Sequence, residues 1–158
     1  MTRERTMPRD AKSLYQELIL KHAQRPCNLG PLAGFTHEAK ADNPLCGDIV
    51  NIQLRVADDR VVDARFQARG CMIARASASL LTELVAGRSS AEAIAMADLL
   101  GLLVGAGPCP EDVGELEPLR GVREFPARKA CATLPWEALR RALAPGGRVD
   151  PPEPGRSL

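Results

Sequence analysis

Aromatic residues are nearly missing from this chain, which has three Phe, one Tyr and one Trp in 158 positions. So few rings leave no platform on which unpaired bases could stack, and a single-strand nucleic-acid groove is not expected. An excess of one charge is missing too. Lys and Arg total 21 against 20 for Asp and Glu, a formal net charge of +1, so neither a nucleic acid nor an anionic membrane is expected as partner. No stretch approaches the ~20 apolar residues of a membrane span, and the basic start from Met1 to Arg9 is not followed by the apolar run of a signal peptide. A soluble cytoplasmic protein of one domain is the expectation, with a core that needs no disulfide staple. There are no internal repeats, and the five cysteines contain no close C-x2-C pair of the zinc-finger kind. Widely spread cysteines in odd number read instead as metal ligands, reactive thiols or core residues.

What the chain does contain is a clear hairpin. Val50, Ile52, Leu54 and Val56 alternate with Asn51, Gln53 and Arg55, and Val62, Ala64, Phe66 and Ala68 alternate with Asp63, Arg65 and Gln67. This is the period of strands with one buried face. Only Ala57, Asp58, Asp59 and Arg60 lie between them, short and polar enough to close a tight turn. With that loop Val56 faces Val61, Asp48 faces Arg69, and Cys46 comes opposite Cys71, close enough for two thiolates to share one ion. A single bulge would shift this pairing by one residue.

Helices surround the hairpin. Asp10 can cap a first one carrying Ala11, Leu14, Tyr15, Leu18 and Ile19, which runs to about His22. A short third strand is expected near Thr36 to Ala41. Cys71 opens a second helix with an apolar stripe of Ile73, Ala76, Leu80, Leu81, Leu84 and Val85, stopped by Gly87. Ser89 and Glu92 have the spacing of a capping box for a third, which Gly105 ends. Val113 to Leu119 reads as a helical turn, and a last helix is expected from about Leu134-Pro135, with Cys131 just before it. The fold class is α+β: a small three-stranded antiparallel sheet with helices on one face, spanning residues 1–144. From Pro145 to Leu158, Pro and Gly dominate, and a disordered tail is expected.

Cys46, Asp48, Cys71 and Cys131 are the candidate site. Each cysteine taken alone reads first as a small core residue, but these three stand at element ends, where sites are commonly built. At a helix start, Cys71 has unpaired N–H groups and the macrodipole to favour its thiolate. Asp48 is either an oxygen ligand or a solvated carboxylate at the strand entry. His22 reads as a histidine at a helix C-terminus and His37 as a surface residue, while Cys27 and Cys109 read as incidental loop thiols. Arg69, Arg75, Arg128 and Lys129 lie near the cysteines in sequence and could offset the excess negative charge of a thiolate-rich metal site.

Three ordered motifs carry a family resemblance. Asn43-Pro44-Leu45-Cys46-Gly47-Asp48, then Gly70-Cys71 with Ala76-Ser77-Ala78-Ser79, then Phe125-Pro126-Ala127-Arg128 leading into Cys131-Ala132-Thr133-Leu134 and Trp136, resemble the iron–sulfur cluster assembly scaffolds of the IscU and NifU N-terminal family. The resemblance covers roughly Leu14 to Leu143 and is strongest to the SufU branch. Ala130 stands where ordinary scaffolds carry a histidine, and Gly105 to Arg123 is similar to an extra segment of that branch. Cys27 and Pro135 depart from the family pattern without touching a ligand, Cys27 as a stray thiol near the site.

The resemblance implies a SufE/NifU-like fold and a metal site of Cys46, Asp48, Cys71 and Cys131. The same three cysteines would bind a transient [2Fe-2S] cluster or iron, and zinc is the cofactor of the SufU-like members. It also implies a pyridoxal-phosphate-dependent cysteine desulfurase of the SufS kind as partner, with other iron–sulfur assembly or apo proteins downstream. On this reading the chain is a scaffold and sulfur acceptor rather than a full enzyme. Cys46 is the first candidate for the acceptor, Cys131 the second, and Arg128 a charge partner. The alternative is a small zinc-stabilised interaction module without sulfur chemistry.

Overall fold

In the computed structural model of the protein, residues 11–149 are described. Helix α1 (Ala11–Gln24) precedes a three-stranded antiparallel sheet in the order β1 (His37–Asn43), β2 (Asp48–Ala57) and β3 (Arg60–Arg69). Helices α2 (Met72–Val85), α3 (Ser90–Val104) and α4 (Lys129–Leu143) follow, with 3-10 turns at Gly114–Glu124, Pro126–Arg128 and Pro145–Gly147. The fold is α+β, as expected. The cap assigned to Asp10 lies outside the described residues.

The alternation in β2 does what its period requires. Val50, Ile52 and Leu54 are wholly buried and, with Val61, Ala64 and Phe66 of β3, form the inner face of the sheet, against which α2 and α4 pack. On the outer face Glu38 Oε2 accepts from Asn51 Nδ2 (3.0 Å) and Gln53 Nε2 (2.9 Å), a cross-strand polar ladder, and Gln53, itself buried, accepts the Leu32 N–H at 2.8 Å. The core lies between one sheet face and these two helices and extends into α3 and the Gly114–Glu124 segment through Ala97, Leu100, Leu103, Leu116 and Leu119. The capping box is present as read, with Ser89 Oγ accepting from Glu92 N–H and Glu92 reaching back to Ser89 N–H.

Two expectations need correction. Val56 does pair with Val61, but the register then shifts: Arg55 faces Asp63, and Ile49 rather than Asp48 faces Arg69. Val62 is the extra residue of a β-bulge, turned outward and exposed, so Val61 instead of Val62 enters the core. Cys46 consequently lies beyond the strand, in the β1–β2 turn, and does not pair with Cys71. The second correction concerns the last helix, which starts at Lys129, well before Leu134, with Pro135 inside it and buried. Proline read as a helix start here because it suits the first turn; tertiary packing instead holds it in the helix interior despite the lost backbone bond.

The stretch from Pro145, expected to be disordered, is held as far as Val149. Val149 N–H donates to Thr36 O (2.8 Å) and Arg148 bridges to His37 at the edge of β1. The opposite edge is covered as well. Phe66 exchanges backbone bonds with Asn28 and Gly30, and Val61 does so with Gly87 and Arg88, so β3 presents little free main chain.

The hairpin turn has Asp58 and Asp59 at φ 52° and 60°, the left-handed pair that a type I′ turn demands and that an L side chain disfavours. Asp59→Gly is expected to raise unfolding free energy by roughly 0.5–1 kcal/mol, read as a higher urea midpoint. A lowered midpoint would mean that the Asp59 side chain stabilises the turn by some other contact.

His22 is buried, with Nδ1 against Ser79 Oγ. Burial lowers its pKa from the usual 6.5, opposed by Glu83 and assisted by Lys21. A histidine kept neutral in the fold and free to charge in the unfolded chain makes the unfolded state bind more protons on acidification. Stability should therefore be full above pH ~6.5 and fall as pH drops below it. His22→Gln should flatten that part of the profile, and an unchanged profile would contradict the assignment.

Candidate metal centre

Several element ends converge at one end of the sheet. The β1–β2 turn is folded from within by Asn43, whose O accepts from Cys46 N–H (3.2 Å) and Gly47 N–H (2.7 Å), and whose Oδ1 accepts from Leu45 N–H (3.1 Å). Gly47 takes φ 79° to lead the chain into β2. Cys46 is exposed on this turn, and Leu45 beside it is 95% exposed.

Asp48, the first residue of β2, is only 2% exposed. Its Oδ1 accepts the Cys71 backbone N–H at 2.9 Å. The seat exists because residue 70 has no side chain: a Cβ on Gly70 would stand 2.0 Å from Asp48 Oδ1 and 2.6 Å from its Cγ. Gly70 also takes φ 135°, which L side chains avoid. The bulge at Val62 is what aligns these groups, since without it Asp48 would face Arg69.

Cys71 is the N-cap of α2, as expected, with its Sγ accepting from Ala74 N–H at 3.4 Å. A thiol here occupies the place usually taken by a Ser or Asp oxygen. Cys131 lies within the first turn of α4 rather than before it, and is 4% exposed. The ligand atoms of Cys46, Asp48 and Cys131 all lie within 4.8 Å of one another. Cys71 stands beside them, its backbone N–H on Asp48 Oδ1, although its Sγ lies outside that 4.8 Å group.

Burial would raise the Asp48 carboxyl, but the thiol and N–H of Cys71 and the thiols of Cys46 and Cys131 outweigh it and hold the group below its usual range. Burial, with Cys71 and Asp48 beside it, pushes the Cys131 thiol up. Asp48 Oδ2 is buried with no hydrogen-bond partner. A carboxylate oxygen stripped of water and given no donor is costly unless a cation meets it. Three sulfurs and one carboxylate are the donor set of a four-coordinate zinc site, and the residues therefore fit such an ion.

The remaining candidates are dispersed. A groove of about 500 Å3 runs beside Cys71, lined by Gln16, Ile19, Met72, Ile73, Phe125 and Arg128. Arg128 is exposed on it, and neither Arg69, Arg75 nor Lys129 is paired with a carboxylate among the described residues. Arg75, one turn past Cys71, carries the other orphaned atom, a buried Nε. Cys27 is not near the site: its N–H donates to Ser79 Oγ (2.7 Å) and its thiol faces Glu83, more than two helical turns along α2 from Cys71. Cys109 Sγ accepts from Arg120 (2.9 Å) in the loop after α3. His22 is internal, and His37 is half-buried at the edge of β1. Gly70 is the site residue that pattern reading missed; a glycine directly before a helix-opening cysteine was the available signal of close backbone approach.

The profile of the NifU-like N-terminal domain matches residues 14–144. The chain is similar to a protein of Streptococcus pyogenes serotype M1 named iron-sulfur cluster assembly scaffold protein IscU, with 37% identity over 132 residues covering 82% of each chain. It is 35% identical over 134 residues to the zinc-dependent sulfurtransferase SufU of Bacillus subtilis, covering 84% of this chain and 90% of that one. Among solved structures, a protein assigned to the SUF system of Fervidobacterium islandicum AW-1 superposes with a TM-score of 0.76 at 27% identity, covering 82% of this chain and 96% of that one.

Gly70→Ala should expel the Asp48 carboxylate from its seat. The expected result is a loss of roughly 1–3 kcal/mol of stability, from backbone strain and a displaced buried charge, together with weakened zinc retention against a chelator. Unchanged retention would show that the position of Asp48 does not depend on Gly70.

Proposed function

The chain belongs to the NifU-like N-terminal domain family, and on that basis we propose that it is an iron–sulfur cluster assembly protein that accepts sulfur from a cysteine desulfurase. The observation that carries the reading is the buried Asp48 carboxylate set among three cysteines, with one oxygen bonded to Cys71 N–H and the other to nothing. The names of the two relatives, a scaffold and a zinc-dependent sulfurtransferase, support the two halves of this role. No helix among the described residues is long and apolar enough to cross a membrane, in keeping with work on soluble partners.

Cys46, Asp48, Cys71 and Cys131 would hold the zinc. When bound, that ion keeps its cysteine ligands deprotonated at neutral pH. Cys46 is the acceptor of choice because it alone of the four stands exposed, on a turn that projects outward. Its thiolate attacks the terminal sulfur of the donor's persulfide; a Cys46–S bond forms, the donor's S–S bond breaks, and the electron pair leaves with the donor cysteine as thiolate. Cys131, buried at 4% exposure, suits a second place in the relay. Arg128, exposed beside Cys71 in the groove, is positioned to offset charge as anionic sulfur arrives. Iron, or a [2Fe-2S] cluster built with that sulfur, would be cargo passed on to downstream assembly or apo proteins. Ala130 in the place of the scaffold histidine favours the SufU-type assignment.

The direct test is cysteine turnover by a purified SufS-like desulfurase with and without this protein. Added protein should raise turnover severalfold, and Cys46→Ala should abolish the increase. No stimulation by zinc-loaded protein would reduce the chain to a metal-stabilised interaction module.

Alanine at Cys46, Cys71 or Cys131 should each abolish stoichiometric zinc, whereas Cys27→Ser and Cys109→Ser should leave it intact. Elemental analysis of freshly purified variants decides this. Chelation should lower the melting temperature without unfolding the chain, because the core is built independently of the site.

A further inference from the structure

The first turn of α4 carries Cys131, and within the helix it is braced by Thr133 Oγ1, which lies within donating distance of Lys129 O (3.2 Å) and Ala130 O (3.3 Å). Arg128, its N-cap, makes no side-chain capping bond. Pro135 has no N–H to offer the carbonyl four residues back, which is that of Cys131 itself, so the backbone ladder lacks a rung at the thiol-bearing residue. A bond from another helix lies one residue further on. Ser77 of α2, fully buried, donates its hydroxyl to Ala132 O at 2.7 Å, and Trp136 Nε1–H donates to Ser77 Oγ at 3.0 Å.

The direction of these bonds is fixed by chemistry. An indole nitrogen only donates and a carbonyl only accepts, so the Ser77 hydroxyl must accept from Trp136 and spend its single proton on Ala132. Trp136, one turn beyond Ala132 on α4 and 2% exposed, thereby orients the hydroxyl that pins the turn. We propose that Ser77, oriented by Trp136, is a positioning residue for Cys131: by tying the next carbonyl, Ala132 O, to α2 it fixes the turn at the missing rung and holds that thiol against Asp48 and Cys46. The inference deepens the proposed function by naming what sets one of its thiols, but it does not depend on sulfur transfer.

The test needs no desulfurase. Full-length protein freed of metal by chelation is treated with iodoacetamide, and labelling of each cysteine is followed by mass spectrometry. In Ser77→Ala the labelling rate of Cys131 should rise roughly five- to tenfold, the factor that loss of one buried hydrogen bond represents, while exposed Cys46 keeps its rate. Ser79→Ala is the control for a merely structural loss. Ser79 is equally buried on the same helix but binds His22 and Cys27 N–H, so its removal should lower the melting temperature without selective exposure of Cys131. Trp136→Phe keeps the ring packing and removes only the donor; it should raise Cys131 labelling by a smaller factor, and it serves if Ser77→Ala fails to fold. Equal Cys131 labelling in Ser77→Ala, Trp136→Phe and Ser79→Ala would overturn the proposal. A stimulation assay that fails while the labelling pattern holds would count against sulfur transfer and leave the positioning role intact.

Discussion

The hydrogen bond from the Cys71 backbone N–H to the Asp48 carboxylate ties the start of β2 to the start of α2. Nearly everything at the site depends on it. The bulge at Val62 brings Asp48 level with residue 70, the absence of a side chain at Gly70 leaves room for the carboxylate, and the N-cap role of Cys71 directs its N–H and sulfur to the same place. One oxygen is thereby anchored and the other left bare at low exposure. An anchored, dehydrated carboxylate beside three thiols is a place where a cation would be stabilised.

The parts legible in the sequence were those set by short-range rules. Period-two alternation located β2 and β3, a capping box located α3, and a glycine-cysteine step located the start of α2. What escaped was set by packing across the molecule. The bulge at Val62 turns on a choice between two adjacent valines that no pattern distinguishes. Burial of Pro135 in the core of α4 overrides its preference for a first turn, so Cys131 was read as preceding the helix that in fact presents it. The family pattern puts the extra thiol of Cys27 near the site, whereas α1 and the following loop carry it down the side of α2, in keeping with its reading as an incidental loop thiol. Cys46 and Cys71 were brought together by a hairpin register that does not exist, and their shared neighbourhood instead arises because both lie next to Asp48.

Charge is arranged with the same economy. Net charge is close to zero over the whole chain, yet Arg69, Arg128 and Lys129 stand exposed near the thiols without carboxylate partners among the described residues. Some acidic groups elsewhere are drawn into local pairs, as Glu117 is by Arg120 and Glu137 by Arg141. Such placement puts three cations near the thiols, which a composition count averages away.

Both edges of the sheet are occupied, β3 by Asn28, Gly30, Gly87 and Arg88, and β1 at its start by Arg148 and Val149. A visiting protein therefore has no free row of main-chain groups to zip against along β3, and recognition by strand addition is closed to it at that edge. Contact at the site end is left to side chains on turns, such as the projecting Leu45, and such contacts are short-lived unless many act together. In the proposed role, loading by one protein and emptying by another would gain from this: a visitor at β3 leaves without unpicking a ladder of backbone bonds, and does not compete with the fold itself.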